Sequence, residues 1–250
     1  MILGIDIGGS GIKAAPVDLT TGTFTRDRIR VPTPLPSSVK HVVKAVGEVV
    51  DQFDDAERIG VAFPGVVAGG FTRTAANVDQ SWLGANADEL FEDALGHPVT
   101  VLNDADAAGT AEVAYGAGKD QRGLTIVLTF GTGIGSALFL DGRLVPNTEL
   151  GHLQVREKDA ETRASDRVRE ADGLSWEKWA SRVEEYLGWL ERLLWPDLFI
   201  IGGGVSKRAD KFLPLVRINT PIVPARLQND AGIIGAALAA SLAEPGPSAS

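Results

Sequence analysis

The stretch VLTFGTGIGSALF, residues 127–139, places glycines at 131, 133 and 135 between two apolar runs, with hydroxyls at Thr129, Thr132 and Ser136. Glycines at this spacing let backbone N–H groups approach an anion, so the chemistry to weigh is a dinucleotide, a phosphate group or a bare turn. A dinucleotide fingerprint needs its loop to leave a strand and open a helix. Here Ser136 to Leu140 run on to Asp141-Gly142 and read as a second strand, which removes the dinucleotide. The P-loop pattern GxxxxGK[ST] is absent too. The plainest remaining reading is a tight hairpin whose glycines only supply positive φ.

A second copy argues for more. Laid over itself with an offset of 123 residues, the chain aligns IDIGGSGIKAAPVD with LTFGTGIGSALFLD, each reading strand, glycine turn, strand, Asp. Gly8, Gly9, Ser10 and Gly11 form the first loop; Thr129, Gly131, Thr132 and Gly133 form its twin, and the hydroxyls of Ser10 and of Thr129, Thr132 and Ser136 are expected at the two tips. Two such loops are expected to act as jaws whose N–H and O–H groups close on one polyanion. Asp6 before the first loop then suits a divalent cation, and Lys13 after it suits phosphate charge. GVAFPGVV and FIIGGGVS make a second repeated pair, each an apolar strand ending in Gly.

Asp104, in LNDADAAGTAE, follows the strand-like VTVL and opens a helix. The carboxyl end of a strand is where α/β proteins collect ligands, so Asp104 suits a general base or a helix cap. Asp106, two residues on, suits capping or orienting. Lys207 and Arg208 follow the GGG turn at 202–204, and a helix opening at Val205 would set these cations against its dipole. A functional role at a phosphate is the expected reason. Arg26, Arg28 and Arg30 share one strand face, for which simple exposure is the plainer explanation.

The elements that must hold these residues follow from periodicity. A three-stranded meander opens the chain, and a helix with Val39, Val42, Val43, Val46, Val49 and Val50 follows, Ser37 or Ser38 being its expected cap. Strands RIGVAFPGVV and PVTVLND flank a helix ADELFEDALG. A second meander, a charged stretch at 156–172, an amphipathic helix from about Ser175 to Leu194, the strand DLFIIGGGVSK and an alanine-rich helix complete the pattern. Trp176 and Trp179 are expected in the core or at a dimer interface. The result is a pseudo-duplicated α/β protein with mixed sheets.

At 250 residues and 44% hydrophobic content the chain is long enough for one large or two small domains, and it reads as a soluble globular protein. Its net charge of −9 argues against general nucleic-acid binding. Zero cysteines exclude disulfides, thiolate nucleophiles and cysteine-ligated zinc, and suit a reducing compartment. No run reads as a signal peptide or membrane span, so a cytoplasmic protein without membrane partners is expected.

In order, LGIDIGGSGIKAA, GVAFPG, LNDADAAGTAE, LTFGTGIGSALFLDG, ELGH and FIIGGGVSK resemble the motifs of the ROK sugar kinases, within the hexokinase/actin-like ATPase superfamily. The first and fourth are similar to those of actinobacterial polyphosphate glucokinases. The resemblance implies an actin-like ATPase, ribonuclease H-like fold with two lobes of mixed five-stranded sheets and a sugar cleft between them. Residues 1–103 with 231–243 would form the smaller lobe, 104–230 the larger, and 244–250 a disordered tail. It implies phosphorylation of the 6-hydroxyl of glucose, or of glucose and mannose, from polyphosphate, ATP or both, with Mg²⁺ and a homodimer.

The same resemblance assigns Asp104 as the base. It assigns Asn103, Glu149, His152, Glu161 and Gly65 to the sugar, with Glu170 the competitor of Glu161, and Gly203, Gly204 and Lys207 to the nucleotide or phosphate tail. In most of the family the His of ExGH also ligates zinc with three cysteines. This chain lacks the cysteines, so no zinc site is expected and His152 keeps only the sugar. Sugar-responsive transcription factors of the family carry a helix-turn-helix before the DIGG strand, which here begins at residue 3. A regulator, or a binding-only relative without Asp104 or the Asp6/Lys13 pair, is therefore not expected.

Overall fold

The computed structural model describes residues 1–75 and 78–243; the expected tail at 244–250 lies outside them. The chain forms two compact units, Met1–Ala111 with Asp230–Ser250, and Glu112–Asn229. The first holds β1 (Ile2–Gly8), β2 (Gly11–Asp18), β3 (Thr23–Phe24), β4 (Ile29–Val31), α1 (Val39–Val50), β5 (Arg58–Phe63), β6 (Val67–Ala68), β7 (Phe71–Thr72), α2 (Ala87–Leu95) and β8 (Val99–Asn103). Helix α3 (Asp104–Tyr115) carries the chain into the second unit. There follow β9 (Leu124–Phe130), β10 (Ile134–Leu140), β11 (Arg143–Val145), β12 (Gln154–Val155), β13 (Lys158–Asp159), α4 (Glu161–Ala164), α5 (Asp166–Ala171), α6 (Trp176–Leu194), β14 (Leu198–Gly202), α7 (Ala209–Phe212) and β15 (Ile222–Pro224). Helix α8 (Ala231–Leu242) returns to the first unit.

The duplication is visible in the strand orders. One sheet runs β3-β2-β1-β5-β8 and the other β11-β10-β9-β14-β15. In each, an antiparallel glycine hairpin joins parallel strands. The third strand of the first meander is in two pieces, β3 and β4, which both pair with β2. Between them the register shifts by two residues, at Pro16, whose missing N–H interrupts the ladder.

Burial follows the sequence pattern. Val42, Val46, Val49 and Val50 of α1 pack with Leu3, Ile5 and Phe91 in one core. In the other, Trp179, Val183, Tyr186, Leu187 and Leu190 of α6 pack on Phe130, Phe199 and Phe212. The Trp176/Trp179 face is thus core: Trp179 is buried and Trp176 stacks on Phe212. Ser175 caps α6 by accepting the Lys178 N–H. Ser38 occupies the cap position of α1, but its hydroxyl pairs with His41 Nδ1 instead of a helix N–H.

Lys207 and Arg208 need a correction. Gly204–Arg208 is a short 3-10 turn with both cations at its end, and α7 begins only at Ala209. The expected opposition between these cations and a helix dipole does not arise.

Candidate functional site

In the first unit the parallel strands β1, β5 and β8 end together, with Asp6 beside Ala62 and Phe63 beside Asn103. The glycine loop, the Gly65 turn and Asp104 are therefore all at the carboxyl edge of one sheet, where open α/β folds bind ligands. The β1–β2 hairpin closes at Gly8 and Gly11, leaving Gly9 and Ser10 exposed at its tip. Asp6 and Lys13 face each other across this hairpin, with Lys13 Nζ 2.7 Å from Asp6 Oδ2. Both side chains are mostly buried. Asp6 also lies beside the first turn of α8: a Cβ on Gly232 would meet its carboxyl carbon at 3.4 Å.

Asn103 settles which residue caps α3. Its Oδ1 accepts the N–H groups of Ala105 and Asp106 at 2.9 and 3.0 Å, and its Nδ2 donates to the Gly65 carbonyl at 3.1 Å. Asn103 is buried, and among the described residues its amide makes this one donated contact. Asp106 is buried and is not the cap. Asp104 is exposed, and its Oδ1 accepts the adjacent Ala105 N–H at 2.8 Å. Gly65 is fixed by close approach, since a Cβ there would lie 2.5 Å from the Thr74 carbonyl oxygen.

In the second unit the twin hairpin closes at Phe130 and Ile134, so its loop is Gly131-Thr132-Gly133, with Thr132 exposed. Gly8, Gly11, Gly131 and Gly133 all lack a positive φ, which removes the purely conformational reading of both loops. Gly133 instead lies against the carboxylate of Glu161, whose Oε2 would stand 2.3 Å from an added Cβ. The same carboxylate accepts the Ile134 N–H at 3.2 Å, and the Gly131 N–H donates to the Gly133 carbonyl. One of the loop's amides, and that of the first β10 residue, are thus spent within the protein.

Ser136 corrects another expectation. It is buried, donates to the Thr148 carbonyl at 2.5 Å and accepts the Leu150 N–H at 2.9 Å. It is closed to a phosphate and instead ties the Glu149 segment to β10. The Gly203 turn lies against the same hairpin, because an added Cβ would meet the Phe130 carbonyl at 2.3 Å and its φ is 79°. Thr129 is the register partner of Gly202, while Gly204 has open space around its Cα.

Glu149, His152 and Glu161 form one cluster beside this loop. His152 Nε2 is 3.8 Å from Glu149 Oε2, and Nδ1 is 3.0 Å from Asp159 Oδ2, a partner the sequence reading missed. Burial pushes the Glu149 carboxyl above its ordinary value, His152 opposes the shift and Glu161 adds to it. The Asp159 hydrogen bond raises the His152 imidazole above its ordinary value, with Glu161 and Glu149 adding. Glu170 is outside this group, exposed and paired with Arg169.

The His152 shift has a testable sign. A folded-state pKa above the unfolded one gives stability that is complete below about pH 6.5 and fades as pH rises through the folded pKa. Asp159→Asn is therefore expected to lower Tm more at pH 5.5 than at pH 8.5, by a small amount because the pair is half-exposed. Thermal unfolding at both values checks this, and equal losses would contradict it.

Among the described residues no group of three or more His, Asp or Glu is placed to hold a metal ion. Asp6 alone fits a cation that keeps most of its waters and takes its remaining ligands from phosphate oxygens, the usual habit of Mg²⁺. No helix among the described residues is long and apolar enough to cross a membrane.

Residues 2–167 match the model of the ROK family. A polyphosphate glucokinase of Mycobacterium tuberculosis is 54% identical over 237 residues, 94% of this chain and 89% of the relative. Among solved structures, the inorganic polyphosphate/ATP-glucomannokinase of Arthrobacter sp. strain KM is 51% identical with a TM-score of 0.92, covering 96% of this chain and 98% of that one. A ROK family glucokinase from Streptomyces griseus, solved with glucose and AMPPNP, is 25% identical with a TM-score of 0.83, over 97% and 99% of the two chains.

Proposed function

The chain belongs to the ROK family, and from that premise we propose that it phosphorylates the 6-hydroxyl of glucose using inorganic polyphosphate or ATP. The observation that carries the reading is Asp104, an exposed carboxylate at the carboxyl end of β8 whose neighbour Asn103 has taken over the cap. A carboxylate at that strand end, with the cap supplied by its neighbour, suits a proton acceptor.

Each residue then has a role that its surroundings allow. Asp104 accepts the O6 proton as the terminal phosphoryl group transfers in line. Glu149, His152 and Glu161 accept from or donate to sugar hydroxyls, joined by Asn103, and Gly65 shapes the wall beside it. Fixed, partly buried partners of this kind discriminate well, because a missing hydroxyl leaves them unpaired. Gly8, Gly9, Ser10, Gly11, Lys13, Thr129, Gly131, Thr132 and Gly133 are assigned to the donor. Gly203, Gly204 and Lys207 take the nucleotide or the outer phosphates.

Phosphoryl transfer of this class needs a divalent metal, which supplies charge neutralisation on the donor. We take it to be Mg²⁺, held through Asp6 by way of water. The Lys13–Asp6 contact holds that carboxylate in place. Cytoplasmic location and a homodimer complete the proposal.

The test is a coupled assay of the purified protein with glucose and mannose against ATP and polyphosphate, with and without Mg²⁺. Glucose 6-phosphate is expected from both donors only when the metal is present. No sugar phosphate in any combination would overturn the reading.

A further inference from the structure

The three arginines expected on one strand face do not share one, since Arg26 and Arg28 lie in the irregular stretch between β3 and β4 and only Arg30 lies in a strand, and their partners separate them further. Arg26 is paired with both carboxylate oxygens of Asp55 at 2.9 and 3.0 Å, and Arg28 with Asp230 at 2.7 Å. Among the described residues Arg30 has no carboxylate partner. Its Nη2 donates to the Ser10 carbonyl at 2.9 Å, inside the exposed glycine tip. The guanidinium lies flat enough on the loop that a Cβ on Gly11 would meet its Nε at 2.7 Å.

Arg30 is also the register partner of Lys13 across β2 and β4. Like charges directly opposite one another destabilise a sheet. Asp6 offsets only one of the two cations, through its 2.7 Å contact with Lys13. A surplus positive charge beside a glycine loop stands out on a chain of net charge −9, and an anion at the loop would offset it. The guanidinium offers five N–H donors in a fork that matches phosphate, and a single one is committed to Ser10.

We propose that Arg30 is a second cation of the phosphoryl-donor site, contacting a phosphate of the donor beyond the one transferred, and that it favours polyphosphate over ATP. The inference rests on the polyphosphate-kinase reading of the loop. ATP brings a nucleoside with contacts of its own, so it retains affinity when one phosphate contact is lost. Polyphosphate is held by charge and hydrogen bonds along its whole length and has nothing to substitute.

The test compares wild type, Arg30→Ala and Arg30→Lys with polyphosphate of defined chain length and with ATP. The KM for polyphosphate is expected to rise about tenfold in Arg30→Ala, as for loss of one charge-assisted hydrogen bond. The KM for ATP should rise less than about threefold, Tm should hold, and Arg30→Lys should recover part of the loss. An unchanged polyphosphate KM, or equal rises for both donors, would show that Arg30 only braces the Ser10 turn and overturn the proposal. If the wild type makes no glucose 6-phosphate with either donor, the functional reading has failed. Calorimetric binding of polyphosphate then decides Arg30 alone, a tenfold weaker Kd in Arg30→Ala supporting the contact and an equal Kd refuting it.

Discussion

Asp104→Asn is expected to leave a folded protein that binds glucose and turns it over about 10²–10⁴-fold more slowly, the usual contribution of a general base. The substitution spares the helix cap. The first-turn N–H groups of α3 at Ala105 and Asp106 are held by Asn103, so the helix keeps its cap. The contact from Asp104 Oδ1 to the Ala105 N–H survives, since an amide oxygen accepts as well. Steady-state kinetics with glucose and calorimetric sugar binding together check this. A kcat within a few-fold of wild type would remove Asp104 from the chemistry. Asn103→Ala should behave differently, lowering stability as well as turnover, because it strips the cap and breaks the tie to the Gly65 carbonyl.

How much of this was visible in the sequence depended on how local each interaction is. The two glycine hairpins were legible because a hairpin is decided by neighbours, and the 123-residue offset placed Gly8 on Gly131 without any structure. The cap of α3 was not, since Asn and Asp cap helices equally well and adjacent positions cannot be told apart by spacing. Ser136 was misread because its partners are 12 and 14 residues away, in a segment with no regular pattern. Asp159 was missed for a different reason. It reaches His152 through the β12–β13 hairpin, whose turn is made by Arg156 and Glu157 at φ 53° and 63°, so no glycine announced it. Lys207 was placed in an α-helix because GVSKRADKF does not distinguish a 3-10 turn followed by a short helix from one continuous helix.

Gly60→Ala is expected to be among the costliest single methyl additions to this chain. Gly4 and Gly60 are register partners on β1 and β5, so together they leave a trough without side chains across two adjacent strands. Helix α8 lies in it. The Ile233 carbonyl would sit 2.0 Å from a Cβ on Gly4, and the Ala236 carbonyl 1.8 Å from one on Gly60. On the helix side, a Cβ at Gly235 would meet the Ala107 carbonyl of α3 at 1.7 Å. Each obstacle is backbone, so no rotamer change relieves it. Overpacking a core typically costs about 1–3 kcal/mol, and a rigid carbonyl at this distance puts Gly60→Ala at about 3 kcal/mol or more, a large share of the roughly 5–15 kcal/mol of an ordinary domain. The damage should reach the donor site as well, because the first turn of α8 carries Gly232 against Asp6. Gly47→Ala supplies the control. It sits within α1, its added Cβ meets only Leu95 at 3.9 Å, and a helical alanine there should stabilise by about 0.5–1 kcal/mol. Denaturant midpoints of the two variants should therefore move in opposite directions from wild type. A Gly60→Ala midpoint within about 1 kcal/mol of wild type would mean that α8 can lift from the sheet at little cost, and that the trough does not fix where Asp6 stands.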